Sequence, residues 1–455
     1  MRNPLLRPLP GPSPVPAGDY DLGQLGYAEQ EFLLEGHAES YAADRAGDGP
    51  RTARVAASAP FTTRLLVRRP LDAARFSGTV VVEWLNVSGG LDAAPDWIFT
   101  HTHLLRRGHA WVGVSAQRAG IEGGGLVEGM HLKKMFPERY AILSHPGDAW
   151  SFDIFSQAGR VLAAGASAAP FGTLRPARLL AAGHSQSAAF LVTYLNAIDQ
   201  QAAVFDGFLV HGRPAAGASL DSGTGPAHSE GASDRIRDDL RVPVLVLQTE
   251  TDVALLGSGR VAQADGELLR LWELAGAAHA DTYLLVAGHH DDGNLPARQL
   301  AELLKPTTQT VAGIADTPIN SGPQQHYVAC AAIERLDSWA AGGPAAPVAD
   351  RLSATADGLD FNRGYYGIAF GGIRTPWTEV PAATLSGLGQ SGDTFASLFG
   401  VTDPLWPEEL SRLYPFGRAE CLERFASETD SAIANGFLLA EDRAEILALA
   451  DAVFD

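Results

Sequence analysis

The sequence predicts an α/β protein built on a doubly wound, mostly parallel sheet, and two observations carry that prediction. Over residues 71–210, short apolar runs of strand length alternate with amphipathic helical patterns, as a parallel sheet covered by helices requires. At residues 183–188, a strand pattern passes into a helical pattern through the tight turn Gly-His-Ser-Gln-Ser-Ala. A serine on such a turn stands at the end of a strand, which is where nucleophilic serines are found.

The segment before this alternation is expected to form the edge of the sheet. Residues 1–24 are rich in proline and predict an irregular strap. Residues 28–34 and 62–67 carry strand-like patterns and predict an edge hairpin that opens the sheet.

A glycine-containing loop follows the next strand pattern, residues 79–85. The loop has the sequence Asn86-Val87-Ser88-Gly89-Gly90. We expect a backbone N–H of Asn86 or Val87 to act with that of Gln186 as an oxyanion hole, worth about 3 kcal/mol per donor. The alternative is a plain glycine turn.

Ser185 is the candidate nucleophile on the turn at residues 183–188. Small residues on both sides let such a turn approach its neighbours. Gly183 meets this requirement, and Ser187 stands where the usual pattern has glycine. The alternative is a chance Gly-X-Ser sequence in which the serine only caps a helix.

A candidate acid follows the apolar strand pattern at residues 242–247, in the segment Gln-Thr-Glu-Thr-Asp. A carboxylate just past a strand end lies at the edge of a parallel sheet where ligands bind. Asp252 is the preferred candidate and Glu250 the alternative. Both carboxylates could instead be solvated turn residues, as most loop carboxylates are.

A candidate base, His279, lies on the loop after the alternating pattern at residues 269–274. It follows Asp252 by 279 − 252 = 27 residues, which is room for one helix and one strand. His279 is expected to take the proton of the Ser185 hydroxyl, while the carboxylate fixes the tautomer of the imidazole. His184 is expected to pack into the serine turn.

Together these residues resemble a serine hydrolase of the α/β-hydrolase fold over about residues 60–290. The chain is also similar, over nearly its whole length, to a bacterial family labelled α/β-hydrolase-domain proteins. The stretches that carry this likeness are Glu83-Trp84-Leu85-Asn86, Glu250-Thr251-Asp252, Trp272-Glu273, residues 275–281 and residues 372–377. The resemblance implies an α/β-hydrolase fold and a catalytic triad in the order serine, acid, histidine. The long chain segment that remains after His279 predicts an added C-terminal cap region.

The function expected from these residues is that of a serine esterase. It would cleave a small carboxylic ester through an acyl-enzyme on Ser185, and it would need no cofactor. The alternatives are an acyltransferase or amidase with the same triad, or a non-catalytic binding protein on the same fold.

Composition excludes several classes of partner. The net charge of −19, with lysine only at positions 133, 134 and 305, argues against nucleic-acid binding. The chain has no signal-peptide pattern and no apolar run of spanning length, which predicts a cytoplasmic protein without a membrane partner. The adjacent residues His289-His290-Asp291-Asp292 do not predict a metal site, because neighbours in sequence rarely converge on one ion. Homo-oligomerisation is left open.

The predicted organisation is a strap at 1–24, a core at 25–345 and a C-terminal cap at 346–455. A segment rich in small residues at 212–239 is expected to be an insertion, either a mobile flap or a long surface loop. The cap carries many aromatic residues, of which Tyr366 and Trp377 are the candidates for a substrate pocket. The alternative is that these rings only pack the segment onto the core.

Overall fold

The computed structural model describes residues 4–15, 18–44, 52–164, 171–220, 234–310, 313–391 and 395–454. Its central element is a nine-stranded sheet with the strand order β1-β2-β3-β5-β4-β6-β7-β8-β9. The strands are β1 (Leu5–Leu9), β2 (Tyr27–Asp44), β3 (Thr52–Pro70), β4 (Thr79–Trp84), β5 (Ala110–Val114), β6 (Arg178–His184), β7 (Gly207–His211), β8 (Val244–Thr249) and β9 (Leu269–Leu274).

The helices lie between and after these strands. They are α1 (Pro95–Arg107), α2 (Arg118–Glu122), α3 (Leu132–Met135), α4 (Pro137–Tyr140), α5 (Ser151–Ala164), α6 (Gln186–Ala197), α7 (Asp199–Ala202), α8 (Glu250–Ala254), α9 (Thr282–Leu285), α10 (Ala297–Leu303), α11 (Gln324–Ala340), α12 (Pro376–Glu379), α13 (Pro407–Leu413), α14 (Arg418–Ala434) and α15 (Arg443–Val453). Two small ribbons pair β10 (Gln309–Thr310) with β11 (Gly313–Ile314), and β12 (Ala383–Ser386) with β13 (Val401–Pro404).

The sheet is antiparallel at one end and parallel over the rest. Strands β1, β2, β3 and β5 pair antiparallel, and every pair from β5 through β4 and β6 to β9 is parallel. The predicted doubly wound, mostly parallel sheet is therefore confirmed. Parallel strands place their carboxyl ends on one edge, and the loops that follow β4, β6, β8 and β9 meet there.

Alternating side chains of each central strand enter two different apolar layers. On β4, Val80 and Val82 pack into the layer that includes α5 and α6, whereas Val81 packs into the layer that includes α1, α11, α14 and α15. This alternation follows from the two-residue period of a strand. Each layer buries one face of the sheet, so the serine turn at its edge rests on a rigid core.

The predicted edge hairpin is present as β2 and β3, and it is longer than the pattern indicated. The irregular strap is a wrong prediction for Leu5–Leu9, which pair with β2 as the outer strand. The physical reason is burial of Leu6, at 7% exposure, together with the edge position, which tolerates Pro8 because no strand lies beyond it to accept an N–H. Residues 1–3 and 16–17 of the strap lie outside the described residues.

The C-terminal segment returns to the far edge of the sheet. Ile373 forms a parallel bridge with Leu274. Its N–H donates to Glu273 O at 2.6 Å, and Ala275 N–H donates to its carbonyl at 3.1 Å. The segment therefore continues the sheet beyond β9. Over the described part of the chain, no helix combines the length and apolarity needed to cross a membrane.

Candidate active site

The serine turn connects the buried strand β6 to helix α6. Ser185 has φ 63° and ψ −121°, and its N–H donates to the carbonyl of His211 at 2.9 Å. Apart from glycines, Ser185 and Ala203 are the described residues with positive φ. This conformation is costly for a residue with a side chain and is often kept where a functional group must be presented. Ser185 is half-buried, so part of the residue is exposed to solvent.

Close packing explains the small residues around Ser185. A Cβ atom on Gly183 would lie 3.0 Å from Leu191 Cδ1 and 3.2 Å from the Ser187 side chain. Ser187 itself is fully buried. Serine in place of the usual glycine at position 187 is accommodated because Gly183 leaves room opposite it.

The structure pairs Asp252 with His279. Asp252 Oδ1 lies 2.5 Å from His279 Nδ1, and both side chains are almost wholly buried. The other oxygen, Oδ2, accepts the N–H and the hydroxyl of Thr249 at 2.7 and 2.9 Å, which forms a capping box at the start of α8. The cap fixes the carboxylate, and the carboxylate orients the imidazole.

Glu250 makes different contacts. Its Oε1 accepts the N–H of Gly276 at 2.8 Å, and its Oε2 accepts from the Ser386 hydroxyl, the Gly387 N–H and Arg363, each at 3.1 Å. Glu250 therefore links the acid turn to the histidine loop and to the C-terminal segment. Of the two carboxylates proposed from the sequence, only Asp252 is hydrogen-bonded to His279 in the described residues.

The histidine loop is held by the C-terminal segment. The Thr251 hydroxyl accepts the N–H of His279 at 3.1 Å and donates to the carbonyl of Gly387 at 2.6 Å. The N–H of Ala280 donates to Leu398 O at 3.1 Å. These contacts come from residues far apart in the sequence, which is why sequence analysis missed Thr251.

The ring of His279 lies next to the serine turn. It packs against the ring of His184 with centroids 4.5 Å apart, and His184 precedes Ser185 directly. A Cβ on Gly212, which has φ +61°, would lie 3.1 Å from atoms of both rings. The described residues show no hydrogen bond between the Ser185 hydroxyl and His279, and such catalytic bonds often form only in the complex with substrate.

The loop after β4 contacts the serine turn, but one of the two N–H groups expected from this loop in the oxyanion hole is engaged elsewhere. The N–H of Asn86 donates to Ala93 O at 2.9 Å, so the expectation that it serves the oxyanion is wrong. The Asn86 side chain instead donates to His184 O at 3.1 Å. The N–H of Val87 donates to Gln186 Oε1 in a long bond of 3.5 Å, which a substrate oxygen can replace. The N–H of Gln186 is in the first turn of α6, where helical N–H groups have no partner inside the helix.

Trp377 lies in a cavity that is separate from these residues. Its ring stacks on Tyr327 at 5.4 Å and meets Phe425 edge to face at 5.5 Å. The cavity has a volume of about 680 Å³, and Ser185, Asp252 and His279 do not line it. The prediction that Trp377 forms the substrate pocket of the serine is therefore not supported. The sequence could not show that α14 covers this ring.

The described contacts of Tyr366 are with neighbouring parts of the C-terminal segment. The carbonyl of Tyr366 accepts the Thr384 hydroxyl at 2.7 Å, and its ring packs on Tyr365, so its place in a substrate pocket stays a prediction. Of the insertion at 212–239, residues 221–233 lie outside the described residues.

A model of the alpha/beta hydrolase domain family matches residues 5–448. The chain belongs to the α/β-hydrolase family. This agrees with the resemblance seen in the sequence. No curated protein matches this sequence.

Several solved structures are similar to this α/β hydrolase over about half of its length. An alpha-beta serine hydrolase homologue from Coxiella burnetii is 12% identical, with 53% of this chain and 89% of that one covered and a TM-score of 0.30. A glucuronoyl esterase from Solibacter usitatus is 10% identical, with 59% and 81% covered and a TM-score of 0.30. A thermostable esterase from Pseudomonas putida is 13% identical, with 56% and 75% covered and a TM-score of 0.29.

Burial governs the charge of the groups around the site of this α/β hydrolase. It lowers the pKa of His184 well below its ordinary value, and a charge on His279 or His211 would lower it further. His184 is therefore neutral beside His279. Burial also raises the pKa of Asp281, two residues beyond His279, to about 7.

Proposed function

We propose that this α/β hydrolase is a serine esterase that cleaves carboxylic esters through an acyl-enzyme on Ser185. The observation that carries the proposal is the buried Asp252–His279 pair, 2.5 Å apart, beside a serine held at φ 63°. A buried carboxylate bonded to Nδ1 leaves Nε2 of the imidazole as the proton acceptor. Membership of the family supports a hydrolase, and the site residues supply the finer assignment.

In the first half-reaction, His279 Nε2 takes the hydroxyl proton while Ser185 Oγ bonds to the ester carbon. The negative charge that develops on the carbonyl oxygen is stabilised by the N–H groups of Gln186 and Val87. When the tetrahedral intermediate collapses, the bond to the alcohol oxygen breaks. The leaving alkoxide takes the proton from His279, and the acyl group stays on Ser185.

In the second half-reaction, water replaces the alcohol. His279 takes a proton from water as its oxygen attacks the acyl carbon, and returns it to Ser185 Oγ when that bond breaks. Asp252 keeps its hydrogen bond to Nδ1 in both halves and stabilises the imidazolium. An ester requires nothing beyond these residues, because alkoxides leave more readily than amide nitrogens.

A fluorophosphonate probe tests the proposal directly. The full chain should be labelled at Ser185, as located by peptide mass spectrometry, and Ser185→Ala should not be labelled. A series of para-nitrophenyl esters of increasing chain length then measures turnover and the size of the acyl group accepted. Folded protein that is neither labelled nor active on any ester would favour the binding-protein alternative.

A further inference from the structure

A second buried carboxylate–imidazole pair lies behind the candidate site. His211 ends strand β7, and its Nδ1 lies 2.8 Å from Oδ1 of Asp96 in the first turn of α1. The exposed fraction is 0% for the His211 side chain and 1% for the Asp96 side chain. The reaction described above uses neither residue. Removing such a pair from water costs free energy. The contacts that connect the pair to the site indicate its role.

Ring contacts connect this pair to His279. The rings of His211 and His184 meet edge to face with centroids 4.6 Å apart, and the ring of His184 lies 4.5 Å from that of His279. His184 and His211 lie opposite each other in register on the parallel strands β6 and β7. The carbonyl of His211 also accepts the N–H of Ser185. The pair is thus one ring away from the proposed base and directly bonded to the serine turn.

Glu83 lies in the same buried cluster as Asp96 and fixes the first turn of α1. Glu83 accepts the N–H groups of Asp96 and Trp97 at 3.0 and 2.9 Å, and that of the Trp111 indole at 2.9 Å. Burial, and then the charge of Asp96, raise the pKa of Glu83 well above its ordinary value. A protonated Glu83 adds no second negative charge beside Asp96.

We propose that Asp96 and His211 are positioning residues for His279 and Ser185. Asp96 fixes the His211 ring, which supports His184 under the serine turn, and the buried carboxylate favours the imidazolium that His279 forms during the reaction. Only this last effect rests on the proposed function. One charge at about 10 Å, in an interior of effective dielectric about 20, shifts a pKa by about 1 unit.

Several titratable groups face the imidazoles and must be separated in a test. His211 is faced by Asp96 and His184, and His279 is faced by Asp252 and His184. Glu83 accepts the backbone N–H of Asp96. Asp281 shares the loop of His279 and has a pKa of about 7. Because Asp281 titrates in the range in which a histidine titrates, it needs its own variant.

The test is a titration of the full chain labelled with ¹⁵N-histidine and followed by NMR. Asp96→Asn should lower the pKa of His279 by about 1 unit and move the acid limb of kcat/KM by the same amount. Asp281→Asn measures the contribution of Asp281. Asp199→Asn is the matched control, because Asp199 is a buried carboxylate that pairs with Arg241. It lies past the far end of α6, roughly 20 Å along the helix from Ser185. This variant should leave the pKa of His279 unchanged.

Two outcomes would overturn the proposal. One is a folded Asp96→Asn variant with an unchanged His279 pKa, whatever its kcat. The other outcome applies if that variant does not fold and uses His211→Gln, which keeps the carboxylate of Asp96. This variant should slow fluorophosphonate labelling of Ser185 at least about tenfold, because the serine turn is displaced. Labelling at the wild-type rate would refute the positioning role. Failure of the wild-type chain to react with the probe would instead refute the proposed esterase function, while the NMR titration would still report on Asp96.

Discussion

Separate replacement of the two carboxylates of the acid turn distinguishes catalytic support from structural support. In Asp252→Asn, the amide can still accept from Thr249 with its oxygen, but it then directs an NH₂ group at His279 Nδ1. The imidazole must place its own proton on Nε2, so it can no longer accept the serine proton. We expect turnover to fall by about four orders of magnitude with little change in melting temperature.

Glu250→Gln should have the opposite profile. Glu250 accepts four hydrogen bonds, one of them from Arg363, and each bond to a charged group contributes about 1.5–3 kcal/mol. Glutamine keeps one acceptor oxygen and turns its NH₂ toward other donors. Loss of one oxygen's bonds should cost at least about 3 kcal/mol, which lowers the melting temperature of a chain of this length by roughly 3 °C or more.

Para-nitrophenyl acetate hydrolysis at 25 °C and thermal unfolding measure the two effects on the same samples. Turnover of Glu250→Gln should stay within about tenfold of wild type, because the Asp252–His279 pair is intact. The assignment would be refuted if Glu250→Gln lost about four orders of magnitude in turnover at an unchanged melting temperature while Asp252→Asn remained active.

Three further changes test other parts of the structure. Asp281→Asn should flatten the pH dependence of stability. Folded Asp281 holds a proton up to about pH 7, whereas the unfolded chain releases it near the ordinary pKa of 3.8, so the wild-type free energy of unfolding should fall by roughly 4 kcal/mol between those values. Melting temperatures that change equally with pH in the wild type and the variant would contradict this. Gly212→Ala places a Cβ 3.1 Å from the His279 ring at φ +61°; ester hydrolysis should fall more than tenfold for about 1–2 kcal/mol of lost stability, as compared by kinetics and denaturant titration. Trp377→Ala should lower the stability by about 3–5 kcal/mol and leave the preference among ester chain lengths unchanged, whereas a shifted preference would return Trp377 to the substrate pocket.

The parts of the structure that depend on local pattern could be predicted from the sequence. The central strands have both faces buried, so β6 and β8 are continuous apolar runs that the sequence shows directly, whereas β9 is indicated by its alternating pattern. Glycine and other small residues around Ser185 predict a turn that packs closely against its neighbours. The order of serine, acid and histidine was available from the resemblance.

The parts that depend on distant partners could not be predicted. Nothing near Asn86 shows that its N–H pairs with Ala93, and nothing near Glu250 shows that Ser386 and Gly387 supply its partners. Trp377 is covered by helix α14, which follows it by about forty residues. In each case an ordinary local signal was overridden by a contact made across the fold.

Both outer strands of the nine-stranded sheet are partly shielded against pairing with a further strand, and this bears on how the protein behaves at high concentration. Strand β1 carries Pro8, which has no N–H to offer, and the carboxyl end of β9 is covered by the bridge between Leu274 and Ile373. An open sheet with unpaired borders can add strands from other molecules and aggregate. The late C-terminal segment thus protects the sheet from self-association, and a shortened chain that ends before it would expose β9 to neighbouring copies.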